Sequence, residues 1–190
     1  MNERKESTTS IILEYVRVIV LTVIATFIFL QFVQISRVNG SSMENTYFQN
    51  NIVLIDKVFY KHSQPKRNDI IIVDYDDGLD DTLIIKRVIA VGGDHLDIKN
   101  NEVYINGKKI KENYIKENMN TEDLSIDIPK GKVFVMGDNR NHSLDSRKLG
   151  YFDFDNDVIG KVFFRFLYRS LFLYRYVIKK YLYDKQVLIV

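Results

Sequence analysis

Thr82-Leu-Ile-Ile-Lys86-Arg87-Val-Ile-Ala-Val91 is a run of branched apolar side chains with two adjacent cations at its centre, closed by Gly92-Gly93. Its length and β-branched content read as a strand. Shorter runs of the same kind lie on either side: Asn51-Ile-Val-Leu-Ile55, Asp69-Ile-Ile-Ile-Val-Asp74, Lys132-Val-Phe-Val-Met136 and Val158 to Leu167. Glu102-Val-Tyr-Ile-Asn106 leads through Asn106-Gly107 into Lys108-Lys-Ile110. Asn-Gly between two such runs predicts a hairpin, because a type I′ turn needs positive φ at both central residues. Helical periodicity is scarce here, so these residues predict a predominantly β domain with irregular loops. The stretch Asp74-Tyr-Asp-Asp-Gly-Leu-Asp-Asp81 lacks the spacing and terminal glutamate of an EF-hand and reads as a solvated turn.

Upstream the character changes. Val18 to Ile35, VIVLTVIATFIFLQFVQI, carries no charge. As a helix it spans roughly 27 Å, close to the ~30 Å hydrocarbon thickness of a bilayer. A cleaved signal peptide usually has a shorter apolar stretch and a small-residue site after it. An uncleaved anchor is the expectation. Arg4, Lys5 and Arg17 precede the run and only Arg37 follows closely, which predicts the N-terminus inside and the large domain outside.

The chain has 190 residues, enough for one domain plus an appendage. With 27 basic and 25 acidic residues the net charge is +2, so no global basic field argues for nucleic acid. Cysteine is absent, which excludes disulfides, thiol nucleophiles and cysteine-ligated zinc. His62, His95 and His142 are far apart and no HExxH occurs, against a zinc hydrolase.

Three segments carry chemistry. Asn39-Gly-Ser-Ser-Met-Glu-Asn-Thr46 follows the anchor directly, so a serine here sits near the bilayer surface. Lys86 lies inside an apolar strand. If it points inward, desolvation disfavours the ammonium form and makes a base near neutral pH. Gly137-Asp138-Asn139-Arg140-Asn-His-Ser143-Leu-Asp145-Ser146-Arg147 follows a strand and is dense in side chains that build hydrogen-bonded turns.

Taken together these segments resemble type I signal peptidase, the bacterial membrane-bound serine–lysine endopeptidase family. The resemblance rests on Ser42-Met43-x-x-Thr46, on Lys86-Arg87 with Gly92-Gly93-Asp94, and on Gly137-Asp138-Asn139-Arg140-x-x-Ser143-x-Asp145-Ser146-Arg147. It implies Ser42 as nucleophile, Lys86 as general base and Ser143 as the residue orienting the lysine. Asp145 and Arg147 would be paired structural members, and Val38 and Ile85 would line a shallow pocket for small side chains. Independently of the resemblance, the chemistry asks for donors to a developing oxyanion, for which the Ser42 amide, helped by main chain near Gly40, is the expected source. It also implies a mainly β, extended antiparallel or barrel-like catalytic domain behind one N-terminal transmembrane helix, and no metal or organic cofactor. The implied partners are signal-peptide-bearing pre-proteins and the lipid bilayer. One position departs from the family: Asn45 stands where a proline is usual, which predicts a working but looser serine turn.

The expected layout is a cytoplasmic segment 1–17, an anchor 18–35, a catalytic domain 36–167 and a tail 168–190. Lys161 to Val190 holds seven basic residues against one acidic, interleaved with nine aromatics. That pattern suits either a membrane-interfacial segment or a core strand followed by a docked tail. Alternatives are His142 as base with Asp145 beside it, a phage-repressor-like serine–lysine autoprotease, and a catalytically impaired membrane-tethered relative.

Overall fold

A computed structural model of the chain describes residues 8–76, 81–166 and 187–189. Helix α1 spans Thr8–Phe32, and its Thr9–Phe32 stretch is long and apolar enough to cross a membrane. The apolar run 18–35, expected as an anchor, therefore lies in a helix that starts earlier and stops sooner. Ile11–Val16 extend the apolar surface toward the N-terminus around Glu14. At the other end, Val33 is buried and leaves the helix to pair with Asp56, so sheet pairing overrides the continuing apolar run.

The strands follow in the order β1 (Val33–Gly40), β2 (Ile52–Asp56), β3 (Ile70–Asp76), β4 (Asp81–Val91), β5 (His95–Lys99), β6 (Glu102–Ile105) and β7 (Lys108–Lys109). Then come β8 (Leu124–Asp127), β9 (Lys132–Met136), the short helix α2 (Ser146–Leu149), β10 (Phe152–Asp153), β11 (Val158–Phe166) and β12 (Val187–Ile189). A mainly antiparallel β architecture behind one apolar helix is what the sequence predicts. Asn106 and Gly107 take φ of 52° and 75°, the positive values that the β6–β7 hairpin requires. The turn expected at Asp74–Asp81 has its centre, 77–80, outside the described residues, as has the tail except for β12.

One sheet runs β10-β9-β4-β3-β11-β2-β1-β12 and a smaller one runs β7-β6-β5-β8. Every neighbour pair in the large sheet is antiparallel except β1 with β12, which are parallel. β12 also lies alongside β4, so the large sheet curls until its β1 side approaches β4. Two apolar clusters cover its faces. Val38, Met43, Tyr47, Val53, Ile55, Ile72 and Ile85 form one; Tyr60, Ile71, Val73, Ile84, Val88, Val135 and Phe152 form the other. A third cluster, around Leu96, Ile98, Val103 and Phe134, joins the small sheet to β9. Burying whole aliphatic side chains at about 2 kcal/mol each makes the curled sheet a firm platform for the turns at its open end.

Candidate active site

β1 ends at Gly40, whose φ of 120° suits glycine rather than a side-chain-bearing residue. The chain then turns over Ser41–Thr46. Met43 is fully buried beneath the turn, and its carbonyl accepts from the Thr46 and Tyr47 amides at 3.0 and 2.8 Å. Asn139 grips the turn twice: its amide N–H donates to the Ser42 carbonyl at 2.9 Å and its Nδ2 donates to the Ser41 carbonyl at 3.0 Å. Asn45 takes φ of 91°, a value closed to proline, and its Nδ2 donates to the Tyr114 and Ile115 carbonyls at 3.1 and 3.3 Å. The turn expected to be loose is thus tied down on both sides, by a conformation different from the one proline builds.

β4 carries Lys86 opposite Ile71 of β3. Lys86 Nζ donates to Ser42 Oγ at 2.9 Å, and neither residue has exposed surface. Burial pulls the Lys86 ammonium from its ordinary 10.5 down to about 8. Asp145 works against that shift and Arg147 with it.

The polar turn after β9 closes the site from the third side. The Gly137 amide donates to Asp145 Oδ2 at 2.9 Å. Arg147 holds the same carboxylate with Nε and Nη2, both at 2.8 Å. Burial alone would raise the Asp145 carboxyl, but Arg147, the Gly137 amide and Ser143 outweigh it and keep the group below its usual range. A Cβ on Gly137 would sit 2.3 Å from Ser143 Oγ and 2.5 Å from the Ser42 carbonyl. Only glycine lets the three segments close to this distance.

Two further ion pairs brace the walls. Arg87 donates from Nε and Nη2 to Asp138 at 2.8 and 2.6 Å, Thr46 Oγ1 donates to the same carboxylate, and the Arg87 guanidinium lies 4.0 Å over the Tyr114 ring. Arg140 is fully buried and donates to both oxygens of Glu112 at 3.0 and 2.5 Å; its Nε donates to the Gly137 carbonyl at 3.0 Å.

The structure therefore brings Ser42, Lys86, Gly137, Ser143, Asp145 and Arg147 together. Val38 and Ile85 are fully buried in one apolar cluster with Met43. His142 is exposed, and the carboxylate offered as its partner is held by Arg147 and Gly137. Sequence reasoning gave no role to Asn139, Arg87, Asp138, Thr46 or Glu112. The polar density of Asp138-Asn139-Arg140 was a signal for Asn139 and Asp138; Glu112 has no local signal at all.

The Ser42 hydroxyl, on the turn after β1, and the Lys86 amine, on β4, are sealed together away from solvent. Residues 12–167 match the model of the family described as signal peptidase, peptidase S26, and the chain belongs to that family. It is 33% identical over 172 residues to signal peptidase I P of Bacillus subtilis subsp. natto, covering 84% of this chain and 91% of that one. To signal peptidase I U of Bacillus subtilis (strain 168) it is 37% identical over 132 residues, 65% and 70% of the two chains. A crystal structure of a signal peptidase I from Enterococcus faecalis matches with a TM-score of 0.46 at 28% identity, over 53% of this chain and 98% of that one. The protein is a serine peptidase, a hydrolase, and its apolar N-terminal helix accords with a membrane-anchored member of the family.

Proposed function

We propose that this peptidase removes N-terminal signal peptides from exported pre-proteins with Ser42 as nucleophile and Lys86 as general base. The observation that carries the reading is the 2.9 Å contact between Lys86 Nζ and Ser42 Oγ inside a site sealed from solvent. A serine hydroxyl becomes a useful nucleophile when a neighbouring base takes its proton, and a neutral lysine serves in place of histidine.

In the neutral form the contact reverses, and the Oγ–H donates to Nζ. Oγ attacks the peptide carbonyl, its proton passes to Lys86, and the carbonyl oxygen takes the negative charge. The Ser42 amide and main chain near Gly40 are the donors assigned to that oxyanion. Collapse breaks the C–N bond, Lys86 returns its proton to the leaving amine, and the acyl-enzyme remains. Lys86 then takes a proton from water, whose oxygen attacks the ester; the C–Oγ bond breaks, Lys86 returns the proton to Ser42 Oγ, and the free enzyme is restored. Asp145 favours the protonated Lys86 that forms during the reaction, and Arg147 fixes Asp145. Ser143, its Oγ buried at the same junction with no bond to the amine in the resting site, would orient Lys86. Val38 and Ile85 shape the pocket that admits small side chains before the cut.

The anchor explains itself in the same terms. A pre-protein still tethered by its own apolar segment meets a site held at the same surface, which raises effective concentration. The excess of basic residues before the helix favours an inside N-terminus and an extracytoplasmic catalytic domain. The proposed layout is a short cytoplasmic segment, an anchor within Thr9–Phe32, a catalytic domain that begins with β1 at Val33, and then the basic aromatic tail. Incubating a pre-protein in detergent with wild type and with Ser42→Ala tests the reading. Mature product from wild type alone is expected; equal product from both would overturn the assignment.

A further inference from the structure

The large sheet is completed by a strand from the far end of the sequence. Val187 lies opposite Val38, Leu188 opposite Asn39 and Ile189 opposite Gly40, in parallel register. The same backbone runs beside β4, which carries Lys86. β12 therefore fills the gap between the two strands that bring the reacting groups together.

Its direction matters. β1 runs toward Ser42, and a parallel neighbour runs the same way, so each residue along β12 comes nearer the nucleophile. A pre-protein presenting the residues before its cut needs this same arrangement: extended, bonded through its main chain to a strand edge, with its carbonyl arriving at Oγ. Accessibility agrees. Ser42 and Lys86 have no exposed surface, so a substrate reaches Oγ only if something gives way. β1 is held along most of its length by β2, whereas β12 is a three-residue edge strand. Val187-Leu-Ile-Val190 is uncharged and largely β-branched, which favours strand pairing. These bulky residues are unlike the small ones expected before a cut, which favours occupancy without cleavage.

We propose that residues 187–189 are a self-inhibitory strand occupying the substrate groove, displaced when a pre-protein adds its own extended segment to β1. The inference rests on the reading of Ser42 and Lys86 as the peptidase centre. A segment tethered to its own groove acts at an effective concentration of ~1 mM. Even an affinity of ~0.1 mM would then keep the groove about nine-tenths filled, raising KM about tenfold and leaving kcat unchanged. In the resting enzyme the strand also covers edges that would otherwise be open to pairing with other chains.

The test uses a labelled peptide of residues 181–190 and Ser42→Ala chains, so that binding is read without turnover. A chain ending at Lys185, and a full chain with Val187→Pro and Leu188→Pro, which lose main-chain donors on both edges, should each bind the peptide about tenfold more tightly than the unaltered full chain. A peptide carrying the same two prolines should not bind. With Ser42 restored, both variants should show KM for a pre-protein lowered about tenfold at unchanged kcat. Equal peptide binding by full and altered chains, or binding of the proline peptide equal to that of the native one, overturns the inference. Cleavage by all chains with identical KM and no difference in peptide binding would sink the inhibitory strand and leave the peptidase standing. Differential peptide binding with no cleavage by any chain would uphold the strand and sink the peptidase.

Discussion

Lys86 and Arg87 are neighbours on β4, both buried, and they point to opposite sides of the strand. Arg87 is gripped by both oxygens of Asp138, stacked on Tyr114 and touched by Thr46. Lys86 meets the Ser42 hydroxyl, while the nearby carboxylate of Asp145 is bonded by Arg147 and the Gly137 amide. One face of the strand uses its cation to fix structure; the other sets its amine beside an alcohol. Burial alone does not make a base: the fold must also give the carboxylate to another cation.

Lys86→Met attacks the comparison hardest. Cleavage should fall by about 10⁴-fold or more, in the range seen when members of a serine triad are removed. The melting temperature should rise, because holding a lysine cationic in this site costs roughly 3 kcal/mol for the shift from 10.5 to about 8. Activity within tenfold of wild type would exclude Lys86 as the base. Arg87→Met should move stability the other way. It leaves Asp138 buried without its cation, a loss of about 3–5 kcal/mol, read as a melting point roughly 10 °C lower. Melting points shifting in the same direction for the two substitutions would erase the contrast.

Gly137→Ala sharpens the picture at the junction of the segments. Its Cβ would strike the Ser42 carbonyl and Ser143, and displacing the nucleophile by a fraction of an ångström should cost ~10²-fold in kcat/KM. Asn45 gives the smallest effects. Asn45→Gly keeps the φ of 91° and loses two hydrogen bonds, for about 1 kcal/mol of stability. Asn45→Pro must rebuild the turn and should be the less active of the two in the same cleavage assay. A proline variant at least as active as wild type would show that the Asn45 conformation is dispensable.

Much of this was legible in the sequence, for identifiable reasons. β-Branched runs and the Asn106-Gly107 turn announced β2, β3, β4, β6, β7, β9 and β11, because local propensity and tertiary pairing agree there. β1 was hidden inside an apolar run that reads as continuous helix; only its partner β2 ends the helix at Phe32. β5 carries titratable or charged side chains at alternate positions and β8 is only four residues long, so both announce themselves poorly. Within the site, Ser42, Lys86, Ser143, Asp145 and Arg147 were named from motif order, whereas the double grip of Asn139 on the serine turn depends on residues about a hundred positions apart. Glu112 lies in an irregular segment and gains its role only through the buried Arg140. The strand proposed as the groove's occupant, β12, was out of reach of local reading, since its register pairs Val38 with Val187 across most of the sequence.

The protonation of one amine carries the account. Titrating the Lys86 side chain by NMR, with lysine isotope-labelled at Cε in Ser42→Ala and Lys86→Met as the assignment control, reads it directly. The base form grows with pH, so kcat/KM of the wild type should climb tenfold per pH unit below the Lys86 midpoint and level off above it. A midpoint near 8 in the titration, matched by the rate profile, is the predicted result. A Lys86 that stays protonated to pH 10 while the enzyme is fully active at pH 8 would contradict it.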